Sequence, residues 1–214
     1  MPESTLLLIR HGETAWNAEH RIQGLLDVPL SATGIWQAAR LAERLAGAAI
    51  GAVVASDLAR AWMTAQPLAQ RLGLESVTEP RLRERHFGSF QGHTVDEIAQ
   101  RWPDEFHAWR VRDPAWAMPG GESGHQFIDR VLAALNDIAR AHSGQTVAVV
   151  THGGVLDVAY RHARALAWDA PREHQMLNAS INRIAAAPSP LRLTIVDWAD
   201  VAHLDAARDE SVAA

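Results

Sequence analysis

Two short stretches set a histidine against glycine directly after an aliphatic run: Arg10-His11-Gly12 and Thr151-His152-Gly153-Gly154. A third run ends at Ala55-Ser56-Asp57-Leu58-Ala59-Arg60, which places an arginine about one turn into whatever helix follows. Histidine supplies a nucleophile or a proton carrier at neutral pH, and arginine a permanent cation whose planar fork fits phosphate or carboxylate oxygens. The glycines allow a close backbone approach and are expected to leave N–H groups facing an anion. Two histidines and two arginines on such ends could converge on one pocket.

Other chemistries are closed by composition. All 20 cationic side chains are arginine, and the chain has no cysteine. Without lysine there is no Schiff-base amine, no P-loop lysine and no lysine base. Without cysteine there is no thiolate nucleophile, disulfide or thiolate-held metal. The histidines show no His-Glu-x-x-His pattern and no paired ligand spacing, so a histidine-ligated metallohydrolase is disfavoured. The other histidines, His20, His107, His125 and His174 among them, are expected to be surface or structural.

The 214 residues, 48% hydrophobic and 21% charged, are ordinary for a globular protein and long enough to bury a sizeable core. A net charge of -5 gives no electrostatic footprint for nucleic acid or an anionic membrane. The first apolar run, Leu6 to Ile9, is too short for a signal or a membrane span. A cytoplasmic protein acting on a small molecule is expected; one chain does not distinguish a monomer from a homo-oligomer.

Positioning these groups requires strands that alternate with helices. Buried strands are expected at Thr5–Ile9, Ile50–Ala55 and Thr146–Val150, with a last strand at Leu191–Val196 that pairs with Ile181–Ala186. Ser31 reads as the N-cap of a helix that stops at Gly47, and Ser56 or Asp57 as the cap of a second helix reaching Leu72-Gly73, kinked or restarted at Pro67. Residues 94 to 110 read as short helices broken at Pro103. A long helix follows Gly120-Gly121, and another covers Val155–Ala163. The pattern is α/β: a three-layer sandwich with a mostly parallel sheet and a small helical cap over about residues 85 to 120. It is expected to be a single domain over 1 to 214, with 206 to 214 a frayed tail. In such sheets ligands bind beyond the carboxyl ends of the strands, so both histidines would face one crevice.

The stretch Leu7 to Gly24, LLIRHGETAWNAEHRIQG, resembles the opening of the histidine phosphatase superfamily, which includes cofactor-dependent phosphoglycerate mutases. The resemblance continues in order through Pro29-Leu30-Ser31-Ala32-Thr33-Gly34, Ser56 to Ala61 and Leu82-Arg83-Glu84. It resumes at Gly120-Gly121-Glu122-Ser123, Thr151 to Gly154 and Asn178-Ala179-Ser180. It implies that His11 is the nucleophile, forming a phosphohistidine, and that Glu84 protonates the leaving alcohol and then activates water. Arg10, Arg60 and His152 would bind the phosphoryl oxygens, His152 counting with the catalytic set. Asn17, Thr14, Gln23, Gly24 and Gly153 would complete the phosphate site. No metal is called for, because arginines and His152 supply the positive charge. Two adjacent guanidinium groups should depress the pKa of His11 and keep its imidazole neutral and nucleophilic.

Within the superfamily, Glu84-Arg85-His86-Phe87-Gly88 resembles the mutases, yet the stretch after it is short and holds no lysine. The pattern Gly92-His93-Thr94-Val95-Asp96-Glu97-Ile98 resembles the broad-specificity phosphatases. A phosphomonoester hydrolase without cofactor is therefore expected. The alternatives are a mutase, which would need 2,3-bisphosphoglycerate as primer, and a non-catalytic phosphate-binding protein. Phe90, Trp102, Phe106, Trp109 and Trp116 pack the cap or line a leaving-group pocket. Arg110 and Arg112 either meet a second anion or face solvent.

Overall fold

The computed structural model describes residues 2 to 205; the expected frayed tail lies outside them. Six strands form one sheet in the order β3-β2-β4-β1-β5-β6. These are β1 (Ser4–Arg10), β2 (Ile50–Ala55), β3 (Ser76–Thr78), β4 (Thr146–Thr151), β5 (Ile181–Ala187) and β6 (Arg192–Asp200). The first four are mutually parallel, and β5 and β6 run antiparallel at one side. The strands of the aliphatic runs are buried on both faces, as uninterrupted runs require. Leu6 and Leu8 of β1 point into one core with Phe127, Val131 and Leu156; Leu7 and Ile9 point into the opposite core with Leu41, Ala65 and Leu68.

Helices cover both faces. On one side lie α2 (Ala32–Leu45) and α3 (Ala59–Leu72), on the other α6 (Gly124–Ala141) and α7 (Gly153–Arg164). A short α1 (Ala15–Ala18) follows the first loop, and α4 (Val95–Arg101) and α5 (Pro103–Val111) form the cap, separated at Pro103 as expected. The helical cap has its own small core of Phe90, Ile98 and Met118, with Trp102 and Phe106 packed against it.

Three expectations need correction. The cap of α3 is neither Ser56 nor Asp57 but Leu58, which has no capping side chain; the donor Ala59 N–H is met instead by Asp27 Oδ1 at 2.6 Å, from a loop 32 residues earlier. Asp57 is drawn away by Arg83, with Nε 2.7 Å from Oδ1, and Ser56 turns to His152. Pro67 does not divide α3, because Ala61, Ala65, Leu68 and Ala69 are packed on the sheet while Pro67 lies on the half-buried side. Finally, β6 is longer than its apolar run, extending to Asp200, since β5 supplies a partner along its length.

The ends of β1, β2 and β4 coincide: Arg10 pairs with Thr151, and Ala55 with Val150. Close contact of the first loop with α2 depends on two glycines, because a Cβ on Gly34 would stand 2.0 Å from Glu13 O and one on Gly12 2.6 Å from Gly34 O. Asp27→Ala is expected to destabilise the protein by about 1 kcal/mol, the usual value of a lost N-terminal cap. A urea midpoint unchanged from wild type would refute that assignment of Asp27.

Candidate active site

His11 and His152 leave adjacent parallel strands and face each other, ring centroids 5.2 Å apart. Both are buried. His11 Nδ1 lies 2.7 Å from Gly12 O; a carbonyl only accepts, so Nδ1 carries the proton and Nε2 keeps its lone pair. His152 Nε2 lies 2.8 Å from Ser56 Oγ, and its Nδ1 is buried with no partner among the described residues.

Two guanidinium groups flank this pair. Arg60 is 1% exposed and is held by carbonyls of the loop before α2, Nη2 donating to Gly24 O at 2.8 Å and Nη1 to Leu26 O at 3.0 Å. Arg10 Nη1 donates to Met176 O. The Nε of each arginine is buried and unpartnered, and neither arginine forms an ion pair among the described residues. Burial lowers the pKa of both, that of Arg60 to about 10. The same burial, reinforced by Arg60 and Arg10, drives the pKa of His11 well below its ordinary value; burial with Arg60, His11 and Arg10 does the same to His152. Both imidazoles are therefore neutral, as expected for His11.

Glu84 closes the other side. Its Oε2 accepts Gly154 N–H at 3.0 Å and its Oε1 accepts Arg85 N–H at 2.8 Å. A Cβ on Gly154 would stand 2.2 Å from Glu84 Oε1 and 3.0 Å from Phe127 Cζ, so glycine here leaves the carboxyl its place. The expectation that the glycine amides face an anion thus fails at two positions: Gly154 N–H binds Glu84, and Gly12 N–H binds Thr64 Oγ1 at 2.9 Å. A buried amide takes a protein partner when one is in reach. Gly153 opens α7, whose positive N-terminal end points into the site, and Arg10 Nε lies 3.6 Å from where its Cβ would be.

The remaining predicted residues fall into place by function of their neighbours. Thr14 caps α1 and orients Asn17, whose Oδ1 accepts Thr14 N–H at 3.1 Å and Asn178 Nδ2 at 3.4 Å. Gly24 acts through its carbonyl on Arg60. Gln23 is buried with Oε1 unpartnered.

The groups that hold these in place carry no signal in the local sequence. Arg130 of α6 donates to the carbonyls of Arg81, Arg83 and Glu84 at 2.7, 2.8 and 2.9 Å, while Glu122 pairs with Arg130 and accepts His86 N–H at 2.8 Å. This clamp fixes the segment carrying Glu84 from 46 residues away in sequence. Glu122 was visible within the Gly-Gly-Glu-Ser block, but nothing local links it to Arg130. Asn178 donates to His11 O at 2.9 Å. His174, expected to be structural, stacks on Tyr160 at 3.9 Å and places Nε2 3.0 Å from Asp157 Oδ1.

Residues 6–200 match the model of the histidine phosphatase superfamily (branch 1). The chain belongs to that superfamily. It is 41% identical to phosphoglycerate mutase-like protein 4 of Arabidopsis thaliana, over 94% of this chain and 86% of the relative. It is also 41% identical to the metal-independent phosphoserine phosphatase of that plant, over 93% of this chain and 82% of the relative. Among solved structures, a mycobacterial glucosyl-3-phosphoglycerate phosphatase in complex with VO3 superposes with a TM-score of 0.80 at 32% identity, covering 91% of this chain and 98% of that one. Among the described residues of this histidine phosphatase, no group of three or more His, Cys, Asp or Glu side chains is arranged to hold a metal ion, and no helix is long and apolar enough to cross a membrane.

The two neutral imidazoles make stability depend on pH. Unfolded, each binds a proton near its ordinary pKa of about 6.5; folded, each refuses it until far lower. The unfolded state binds more protons, so this contribution is fully present above about pH 6.5 and is lost as pH falls below it. The urea midpoint is expected to drop from pH 7 to pH 5, less steeply in His152→Gln. A midpoint that rises over that range would contradict the buried, neutral state of both rings.

Proposed function

We propose that the protein is a metal-independent phosphomonoesterase that hydrolyses small organic phosphates through a phosphohistidine. One observation carries this reading: a histidine with a free Nε2 lies among buried nitrogens, Arg10 Nε, Arg60 Nε and His152 Nδ1, that have no partner among the described residues. Buried polar groups are normally satisfied, and a phosphoryl group brings three oxygens to such donors. The phosphatase relatives support the same reading.

His11 Nε2 attacks phosphorus and the ester P–O bond breaks, while the two guanidinium groups and His152 hold the equatorial oxygens. Because His11 is already neutral, no base has to remove a proton first. Glu84, in its protonated form, gives the proton to the departing alkoxide. In the second step it takes a proton from water as that water attacks the phosphohistidine, which returns His11 and releases inorganic phosphate. The N-terminus of α7 adds a favourable dipole.

His11→Ala is expected to abolish turnover, and brief incubation of wild type with radiolabelled substrate to give an acid-labile, base-stable adduct. An adduct that persists in His11→Ala would overturn the assignment. A mutase would instead interconvert phosphoglycerates in the presence of 2,3-bisphosphoglycerate with little phosphate released.

Gly154→Ala tests Glu84, since the new methyl group must displace its carboxyl. Loss of general acid help is worth about 10²- to 10⁴-fold on an alkyl phosphate, and far less on p-nitrophenyl phosphate, whose leaving group needs no proton. Equal losses on both substrates would argue against Glu84 as the proton donor.

A further inference from the structure

A serine at the mouth of a helix ordinarily caps it, because its hydroxyl accepts a free amide proton. Ser56 stands at the mouth of α3 and does not: the helix takes its acceptor from Asp27, and Ser56 is fully buried with Oγ 2.8 Å from His152 Nε2. The backbone fixes this meeting. Ser56 N–H donates to Val150 O at 2.9 Å, which ties the residue after β2 to β4 two positions before His152.

The direction of the contact follows from where one proton can go. Ser56 Oγ receives Leu58 N–H at 3.4 Å, which occupies a lone pair and leaves the hydroxyl proton free. Among the described residues no carbonyl or carboxylate accepts that proton, so its acceptor is His152 Nε2. The ring is neutral, held so by burial with Arg60, His11 and Arg10, and carries a single proton of its own. With Nε2 accepting, that proton sits on Nδ1. The reverse tautomer would strand the buried Ser56 proton without an acceptor. It would also leave a bare lone pair on Nδ1, which is buried and has no partner among the described residues, where a phosphoryl oxygen needs a donor.

We propose that Ser56 is a positioning residue whose hydroxyl donates to His152 Nε2, locks the ring with its proton on Nδ1, and so makes His152 a hydrogen-bond donor to the phosphoryl group. This deepens the phosphohistidine reading and rests on it. His11 and His152 then hold the same tautomer for opposite purposes. Gly12 O takes the Nδ1 proton of His11 and leaves a lone pair to attack, whereas Ser56 covers the lone pair of His152 and leaves an N–H to bind.

The test is nitrogen-15 NMR of the histidine-labelled protein at neutral pH, in which protonated and bare ring nitrogens resonate far apart. The His152 signals are assigned by their loss in His152→Ala. Expected is a protonated Nδ1 and a bare Nε2 in wild type, with the proton moved wholly or partly to Nε2 in Ser56→Ala. A wild-type ring protonated at Nε2, or at both nitrogens, overturns the proposal, and that spectrum requires no Ser56 variant to fold. Turnover of p-nitrophenyl phosphate supplies the second readout. Removing one preorganised donor costs about 10²- to 10³-fold in kcat, so Ser56→Ala, which keeps the ring and frees its proton, is expected to lose about 10- to 100-fold. Ser56→Cys, with a weak donor of similar shape, is expected to lose less. In the His152→Ala background, Ser56→Ala is expected to add no further loss, because it acts through that ring. Equal losses in both backgrounds, or wild-type kcat in Ser56→Ala, overturn the positioning role. Phosphate release that is lost in His11→Ala keeps the phosphomonoesterase reading whatever the tautomer. No release by wild type brings that reading down, while the spectrum still decides the Ser56 contact.

Discussion

The structure is organised around two guanidinium groups buried with no carboxylate bound to them among the described residues. A charge taken out of water costs several kcal/mol unless its surroundings compensate. Here Arg10 and Arg60 are compensated by peptide carbonyls of Met176, Gly24 and Leu26, which neutralise donors without neutralising charge. The loop at residues 23 to 27 and the segment at 176 to 179 have to be where they are for this reason. The neutrality of His11 and His152 follows from the same burial, reinforced by the two fixed cations. Glu84 is the exception, an acid admitted to the edge of this field and kept there by backbone amides and the Arg130 clamp.

Much of this was legible in the chain. Aliphatic runs that end in Arg-His-Gly and Thr-His-Gly-Gly are strands buried on both faces, and the parallel sheet brings their ends together. His11, His152, Arg10 and Arg60 follow from that geometry as much as from the family resemblance. The aromatic segment proved to be two things at once: Trp102, Phe106, Trp109 and Trp116 all pack on Phe90 in the cap, and Trp109 and Trp116 also face the cleft beside Gly154.

What was illegible depended on partners distant in sequence. The cap of α3 comes from Asp27, and no local pattern can show that a helix borrows its first acceptor from a loop. The Glu122–Arg130 clamp and the capture of Asp57 by Arg83 are of the same kind. Strand β3, Ser76–Thr78, is three residues at the sheet edge with Val77 exposed, too short for any periodicity. Trp168 and Arg172 lie after α7 in a stretch with no regular element before β5, and only the folded chain sets them against Arg112.

The two histidines follow strand positions that share one rung of hydrogen bonding, Arg10 opposite Thr151. Neighbouring strands lie about 4.7–4.9 Å apart in any sheet. The imidazole centroids are 5.2 Å apart, so the gauge of the site is nearly that of the sheet itself. Its jaw width is therefore a property of the peptide backbone rather than of any side chain. Loops and cap residues can be exchanged and the cleft beyond Gly154 reshaped for another alcohol, while the grip keeps its calibre as long as β1 and β4 stay paired.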